Sequence, residues 1–217
     1  MTTVLVVNCN HWIGYHIVNT LLENDKKVDG IANLGRSNKP KKGEVLIEED
    51  LSLYYGRNSS FSMIDSDEEK YYEIGIIAGG DHLNLNQKVK KLYVINPEDE
   101  EIRSSNDNNF TIIKVPLLFG EWMPMNEKGM FRKEEFIPFR SDYFKKNAVY
   151  VRDFAEGILQ WLEVPGLPLI LHVYSRHYNR GVDAELEKVI YLRENVPIIK
   201  RINSVVDHYR LLSNFNN

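Results

Sequence analysis

A polar turn near the start of the chain carries residues suited to binding a phosphate group. Residues 8–14 (Asn-Cys-Asn-His-Trp-Ile-Gly) follow the apolar run Val4–Val7 and precede a segment with apolar residues at helical spacing. Phosphate-binding turns of this kind use backbone N–H groups and the N-terminus of the next helix, which glycines allow a phosphate to approach. Gly14 is the single glycine of the turn. The residues of the turn therefore fit an ordinary β-α-β corner as well as they fit a phosphate-binding turn.

Acid–base and metal chemistry have few candidates in this sequence. His82 is the best single candidate for a general acid or base, because it follows Gly79-Gly80-Asp81 at the predicted carboxyl edge of a sheet. The 6 histidines show no spacing typical of zinc, and the 1 cysteine excludes an internal disulfide or a multi-cysteine metal site. We therefore predict no metal, and we expect Cys9 to be a small buried side chain rather than a reactive thiol.

The segments that position these residues alternate between strands and helical or long connections, which is typical of a parallel α/β sheet. The predicted strands are Val4–Val7, Val28–Asn33, Glu44–Ile47, Ile74–Ala78, Val89–Ile95, Thr111–Leu118 and Leu169–Tyr174. A helix follows the first turn, and the other predicted helices are Phe154–Leu162, Asp183–Arg193 and Ile198–Leu212. Residues 52–67 are predicted to be mostly loop, and residues 121–147 an irregular lid or subdomain. Because only about nine and about fifteen residues follow the fourth and fifth strands, their crossover helices are predicted to be shortened or missing.

Composition narrows the class of protein. The net charge is −4 and 43% of the residues are hydrophobic, which is ordinary for a globular protein and lacks the basic excess of a nucleic-acid-binding protein. No apolar run approaches 18 residues and no basic-then-apolar leader is present, so we expect a soluble, cytoplasmic protein that does not enter a membrane. We predict a nucleotide-binding part (residues 1–120) and a substrate-side or partner-side part (residues 121–217) packed on it as one unit.

The order of several short segments resembles one known family. These segments are Val4–Gly14 with His16, Val28–Asn33, Asp50-Leu51, Ile74–Gly80, Val89–Val94, Ile112–Gly120 and Val149–Asp153. Together they resemble the extended short-chain dehydrogenase/reductases, the NAD-dependent epimerase/dehydratase group, over residues 3–190 with large gaps. The resemblance implies a Rossmann fold, NAD or NADP on the N-terminal sheet, and a nucleotide sugar or similar ligand in the C-terminal part.

The family's cofactor-binding pattern is only partly present. Its Gly-x-x-Gly-x-x-Gly turn falls on Asn8, His11 and Gly14. A side chain at His11 would crowd a pyrophosphate, whereas asparagine tolerates the left-handed backbone, so Asn8 is the milder replacement. The usual acidic clamp on the adenine ribose falls on Ala32, and the nearby Arg36 fits either the 2′-phosphate of NADP or an ordinary surface position. The resemblance places cofactor contacts at Asn8, Asn10, His11, Trp12, Ile13, Gly14, Asn33, Arg36, Asp50, Leu51, Ala78, Gly79, Gly80, Pro116 and Leu117.

The family's catalytic residues are absent. The family uses a Tyr with a Lys four residues later, and the Lys lowers the pKa of the Tyr so that it acts near neutral pH. None of the 12 tyrosines has Lys at that spacing, and the family's Ser or Thr falls on Ile95-Asn96-Pro97. The helices that appear shortened are also those with which the family builds its four-helix dimer, so the sequence does not favour that dimer.

Three functional hypotheses follow. The first is a degenerate member that binds a nucleotide or a protein partner without the family's Tyr/Lys chemistry, a pseudoenzyme. The second is an active NAD(P)-dependent sugar-nucleotide epimerase or reductase with a rebuilt site, in which His82, Asp81 or a residue from Glu121 to Tyr143 would act. The third is an interaction protein with an empty dinucleotide groove that binds a partner through its acidic loops or an uncovered sheet face.

Overall fold

The first β-α-β unit forms where the sequence predicts it. Strand β1 (Thr3–Val7), helix α1 (Trp12–Glu23) and strand β2 (Lys27–Ile31) follow one another, and β1 pairs in parallel with β2. Because Ile13, Ile17 and Leu21 recur every four residues, α1 buries them together against the sheet.

The structure is a computed structural model that describes residues 2–32, 55, 58–66, 68–79, 87–97, 110–132, 134–176, 189–193 and 195–215.

Eight parallel strands form the central sheet in the described part of the chain. Besides β1 and β2 they are β3 (Phe61–Met63), β4 (Tyr71–Ala78), β5 (Lys88–Ile95), β6 (Phe110–Lys114), β12 (Ile170–Ser175) and β13 (Val189–Leu192). Their order is β13-β12-β6-β5-β4-β1-β2-β3, with every pairing parallel. The order from β3 to β6 is that of a dinucleotide-binding Rossmann sheet, so the predicted fold class is confirmed.

The described residues of the C-terminal half add two small sheets and three helices. Strand β7 (Leu117–Phe119) pairs in parallel with β11 (Ala148–Tyr150). Strands β8 (Met125–Asn126), β9 (Gly129–Arg132) and β10 (Glu135–Pro138) form an antiparallel sheet within the region predicted to be an irregular lid. The helices are α2 (Asp142–Asn147), α3 (Val151–Leu162) and α4 (Ile198–Phe215). The helices predicted at 154–162 and 198–212 are therefore confirmed.

One predicted segment is wrong, a second contains a short strand, and a third lies outside the described residues. Val189–Leu192 forms β13 rather than part of a helix over 183–193, because its Val-Ile-Tyr-Leu run pairs with β12. Phe61–Met63 forms β3 inside a predicted loop, and a three-residue strand leaves no detectable alternation in the sequence. The strand predicted at 44–47 cannot be compared with the structure, since residues 33–54 are not described.

The described helices all pack on one face of the sheet. The main apolar cluster contains side chains from α1, α2, α3 and α4, and it joins residues of both predicted parts. A smaller cluster on the other face contains Leu5, Val7, Tyr72 and Val94 but no helical residue. Nine residues separate β4 from β5 and fourteen separate β5 from β6, so these crossovers are short, as predicted.

The second face of the sheet is not an open apolar surface at its centre. Leu5 and Val7 are fully buried, and Tyr72 and Val94 are nearly so. These four side chains are therefore buried within this chain, and the partner-binding face of the third hypothesis stays a prediction. Among the described helices, none combines the length and the hydropathy that a bilayer crossing requires.

Candidate functional site

The turn between β1 and α1 keeps the backbone shape of a glycine turn although its first glycine is replaced. Asn8 has φ 60°, in the left-handed region that asparagine tolerates better than most residues. Its buried side-chain amide nitrogen donates a hydrogen bond to the carbonyl oxygen of Gly79 at the end of β4. The N–H of His11 donates to the Asn8 carbonyl oxygen at 2.9 Å. Asn8 therefore adopts the glycine-like conformation and also ties the turn to the neighbouring strand.

Gly14 is required by close packing of the helix on the turn. A Cβ atom on Gly14 would lie 2.2 Å from the carbonyl oxygen of Asn8, a distance that no side chain can adopt. The first turn of α1 consequently lies directly on the β1–α1 turn. This is the role expected for the last glycine of the family pattern, which permits close helix–strand packing.

The N-terminus of α1 has the electrostatic character of an anion-binding site. Its N-cap residue, His11, makes no side-chain capping hydrogen bond, and the first turn contains no acidic residue. The first N–H groups of a helix lack intrahelical partners, and the helix dipole places partial positive charge there. An anion such as a diphosphate would be stabilised at this position by both effects.

The imidazole of His11 lies over the end of β4. A Cβ atom built on Gly79 would be 3.7 Å from His11 Cε1, and the ring packs at 44° against Trp12 with 5.8 Å between centroids. Gly79 itself has φ 72°, which favours glycine. The His11 ring thus takes up space beside the turn that the family's second glycine would leave open.

Several predicted contact residues can offer a ligand only their backbone. Trp12, Ile13, Ala78 and Leu117 have side chains buried in the main apolar cluster, whereas Asn10 is half-buried at the turn. Pro116 lies where the predicted sixth strand breaks into β6 and β7, and its carbonyl oxygen accepts a hydrogen bond from Arg132 Nη1 at 2.7 Å. The predicted site residues Asn33, Arg36, Asp50, Leu51, Gly80 and His82 lie outside the described residues.

A different acidic residue follows the third strand of the sheet. The resemblance places two cofactor contacts at Asp50 and Leu51, which lie outside the described residues. In the structure β3 occupies the edge position beside β2, and Ile64 and Asp65 come directly after it. Ile64 N–H donates to the Gly30 carbonyl oxygen at 2.9 Å, which holds this end of β3 against β2. The exposed Asp65 carboxylate is therefore the acidic group that the described structure brings to this edge.

The position of the family's catalytic Ser or Thr serves a structural purpose here. Asn96 ends β5 with φ 43°, and its backbone N–H donates to the Ile113 carbonyl oxygen at 3.0 Å. Its side-chain oxygen accepts a hydrogen bond from the N–H of Val115 at 2.8 Å. Asn96 therefore holds the C-terminal end of β6 against the end of β5.

A second polar cluster surrounds Glu121, the first residue of the range 121–143 that the second hypothesis names; the sequence did not predict its other members. The Tyr150 hydroxyl lies 2.7 and 3.0 Å from the two carboxylate oxygens, and Arg152 Nε lies 3.7 Å from one of them. His16 Nε2 donates to the Glu121 backbone oxygen at 3.1 Å. Apart from Tyr150 and Arg152, these residues are separated by 29 or more positions in the sequence. No local sequence pattern therefore predicts the cluster.

The protonation states in this cluster follow from its burial. Burial lowers the pKa of His16 to about 4 despite the nearby Glu121 carboxylate, so His16 is neutral at pH 7. Burial alone would raise the pKa of Glu121, but hydrogen bonds and the charge of Arg152 bring it below its usual value. Trp122, the next residue, has φ 68°, which is rare for a bulky side chain and is maintained by the surrounding packing.

Cys9 and the acidic and histidine side chains of the described residues form no metal site. Cys9 is fully buried, and burial raises the pKa of its thiol to about 12. No group of three His, Cys, Asp or Glu residues with metal-binding geometry occurs in the described ranges. The prediction of Cys9 as a buried filler is confirmed.

No protein-family model matches this chain, and no curated protein sequence matches it either. Solved structures do match. The yeast methylglyoxal/isovaleraldehyde reductase Gre2, solved with NADPH, has a TM-score of 0.55 and 14% identity, covering 98% of this chain and 99% of Gre2. A UDP-galactose 4-epimerase has a TM-score of 0.52 and 12% identity, with 98% and 99% covered.

A third structure, the UDP-glucose 4-epimerase of Thermotoga maritima solved with UDP-glucose, has a TM-score of 0.51 and 11% identity, with 97% and 99% covered. One of the three is a reductase and two are epimerases, which are activities of the group that the sequence resembles. At these identities the similarity establishes a shared fold. The fold expected from the sequence resemblance is therefore confirmed by independent structural likeness.

Proposed function

We propose that this protein binds the diphosphate of a nicotinamide dinucleotide at the β1–α1 turn without performing the Tyr/Lys chemistry of the family. The observation that carries the proposal is the turn itself. Asn8 adopts the left-handed conformation that the first glycine would supply, and Gly14 keeps the helix in close contact with the turn. Together these two features leave the backbone of the turn in the shape that a phosphate-binding turn requires.

The chain's own groups that would hold the ligand are backbone groups of residues 10–14. The N–H groups at the start of α1 would donate to phosphate oxygens, and the helix dipole would stabilise the negative charge. The nicotinamide group supplies hydride-transfer chemistry when it is bound in a competent enzyme. Gre2, which shares the fold, was solved with NADPH, so the cofactor class is consistent with the fold.

The absence of catalytic chemistry is supported by two observations. The chain contains no Tyr with a Lys four residues later. At the family's Ser or Thr position, Asn96 uses its side-chain oxygen to bind Val115 N–H. A bound cofactor would therefore lack the usual proton donor, and binding alone is the function that these residues support.

One observation favours a second candidate, an interaction protein with an empty groove. The His11 ring packs beside Gly79, and the Asn8 side chain joins the turn to β4. Both contacts narrow the space above the turn. The alternative of an active enzyme names His82 and Asp81, which lie outside the described residues, or a residue from Glu121 to Tyr143.

Calorimetric titration of the protein with NAD⁺, NADH, NADP⁺ and NADPH separates these candidates. We expect binding by the unmodified protein, and tighter binding by His11→Gly, because the substitution removes the ring beside Gly79. His11→Phe is the matched control, since it keeps a ring of similar size and should not gain affinity. If neither the unmodified protein nor His11→Gly binds any of the four, the proposal is wrong and the empty-groove candidate replaces it.

The non-catalytic half of the proposal has its own test. The protein is incubated with NADPH and a panel of aldehydes and ketones, and separately with NAD⁺ and UDP-sugars. We expect no oxidation of NADPH and no epimerised sugar above the buffer control. Turnover that scales with protein concentration would contradict this half while leaving cofactor binding intact.

A further inference from the structure

Two sulfur atoms lie in contact beside the β1–α1 turn. The thiol of Cys9, in the turn, donates to the Sδ atom of Met63 with 3.7 Å between the two sulfurs. These residues are 54 positions apart in the sequence. They meet because β3 pairs with β2, where Met63 lies opposite Gly30. The function proposed above does not use this sulfur pair.

Gly30 leaves the room that the Cys9 sulfur needs to reach Met63. A Cβ atom on Gly30 would lie 2.9 Å from Cys9 Sγ, so any larger residue there would displace the sulfur. The backbone N–H of Cys9 donates to the carbonyl oxygen of Ile31 at 3.1 Å. The start of the turn is therefore held to β2 by its backbone and to β3 by the sulfur contact.

The two sulfur-containing side chains differ in their access to solvent and in their reactivity. Met63 is 52% exposed, whereas Cys9 is fully buried. Burial also raises the pKa of the Cys9 thiol to about 12. The thiolate, which is the form of cysteine that peroxides oxidise, is therefore not populated at neutral pH. A small oxidant that approaches this pair meets the thioether of Met63 first.

The other described methionines are protected from solvent. Met123, Met125 and Met130 lie in the main apolar cluster, and each is at most 3% exposed. Susceptibility to oxidation follows exposure, so an oxidant in solution would select Met63 among the methionines that the structure describes. The selection places a polar modification beside the turn and nowhere in the described core.

Oxidation of Met63 would change the contact that covers Cys9. Hydrogen peroxide transfers one oxygen atom to the Sδ atom, which gives methionine sulfoxide, and the peroxide itself is reduced to water. The sulfoxide is polar, whereas the thioether is an apolar and flexible group. Since a polar group is costly to keep against a buried surface without a full set of hydrogen bonds, the oxidised side chain turns towards water and leaves the Cys9 sulfur.

We propose that Met63 is an oxidation site whose conversion to the sulfoxide uncovers Cys9 and loosens the β1–α1 turn. The consequence for binding, which rests on the function proposed above, is a weaker hold on the dinucleotide diphosphate, because the turn loses its contact with β3. Methionine sulfoxide is reduced back by methionine sulfoxide reductases, so the change is reversible.

The oxidation is tested on the intact protein without any ligand. After treatment with hydrogen peroxide, peptide mass analysis should find one added oxygen at Met63 about tenfold or more faster than at the buried methionines. Labelling of Cys9 by iodoacetamide should then speed up, and it should slow again after treatment with a methionine sulfoxide reductase. Met63→Leu is the matched control, because it keeps an apolar side chain of similar volume that peroxide does not oxidise. Its Cys9 should stay protected after the same treatment.

The effect on binding is measured by calorimetric titration with NADPH. The oxidised protein and Met63→Gln, which places a polar side chain of similar length at this position, should bind about fivefold or more weakly than the untreated protein. Met63→Leu should bind normally both before and after peroxide. Unfolding curves of each sample show whether a loss of binding is separate from a loss of folding.

Three outcomes would overturn the proposal. They are oxidation of Met63 no faster than that of the buried methionines, labelling of Cys9 at the same rate in oxidised and untreated protein, or an equal loss of NADPH affinity in peroxide-treated Met63→Leu. If the untreated protein binds no dinucleotide, the proposed function fails, and the labelling rates of Cys9 alone decide this proposal.

Discussion

Substitutions at Asn8 test whether the first residue of the turn adopts the left-handed conformation of a glycine. Asn8→Ala and Asn8→Gly both remove the amide that donates to the Gly79 carbonyl oxygen. Their difference therefore reports the backbone alone. At φ 60° the side chain of alanine destabilises the folded turn by roughly 1–2 kcal/mol, whereas glycine has no such steric cost.

The magnitude follows from two opposing contributions. Glycine loses about 0.4–1 kcal/mol relative to alanine through the greater freedom of the unfolded chain. The remaining difference favours Asn8→Gly by about 0.5–1 kcal/mol in the free energy of unfolding. Both variants should be less stable than the unmodified protein by about 1 kcal/mol or more, because the net value of the lost hydrogen bond is of that order.

Urea unfolding followed by circular dichroism gives the comparison, with Asn19 as the matched control. Asn19 lies inside α1, where glycine is less stable than alanine by about 0.8–1.0 kcal/mol. The order of the two variants should therefore reverse between Asn8 and Asn19. If Asn8→Ala is as stable as Asn8→Gly while the control behaves as expected, the left-handed turn is refuted.

Three further predictions concern buried groups. The pKa of His16 is about 4 in the folded protein and about 6.5 when unfolded, so the unfolded state takes up the proton first as the pH falls. The free energy of unfolding should therefore drop by on the order of 3 kcal/mol from pH 6.5 to 4 relative to that of His16→Gln. Parallel pH profiles of the two proteins would contradict this. Tyr150→Phe should lower the free energy of unfolding by about 1.5–3 kcal/mol at pH 7, because it removes the hydroxyl that donates to the Glu121 carboxylate. The lowered pKa of Glu121 gives stability that is fully present above the ordinary glutamate pKa and is lost as the pH falls through the lowered pKa, so the loss in Tyr150→Phe should shrink in acid. A loss of the same size at pH 7 and at low pH in urea unfolding would contradict an ionised Glu121. Cys9, with its pKa raised to about 12, should react with iodoacetamide only as the protein unfolds, and labelling at the rate of a free thiol would disprove its burial.

The features that the sequence predicts correctly are those encoded by short-range patterns. The apolar run at Val4–Val7 and the spacing of Ile17 and Leu21 specify a strand and a helix within a few residues of each other. The left-handed tendency of asparagine is a property of that residue alone, so the conformation of Asn8 could be anticipated without any contact. The long helix at the C-terminus has enough periodic positions to be recognised by its pattern.

The features that the sequence misses depend on contacts between distant residues. Asn96 holds the end of β6 through a bond to Val115, and Glu121 meets His16 across 105 positions. Strands β3 and β13 are only three and four residues long, and they are defined by pairing with β2 and β12 rather than by alternation. Such pairings become visible only when the chain is folded.

The most direct test of the central claim is amide hydrogen exchange of the protein with and without saturating NADPH. If the backbone of the β1–α1 turn binds the diphosphate, exchange should slow at residues 10–14 on addition of NADPH and stay unchanged along α4. A ligand present at about 100 times its Kd should also raise the free energy of unfolding by about 2.7 kcal/mol. Unchanged exchange at residues 10–14, with no gain in stability, would show that the turn has kept its shape but lost its ligand.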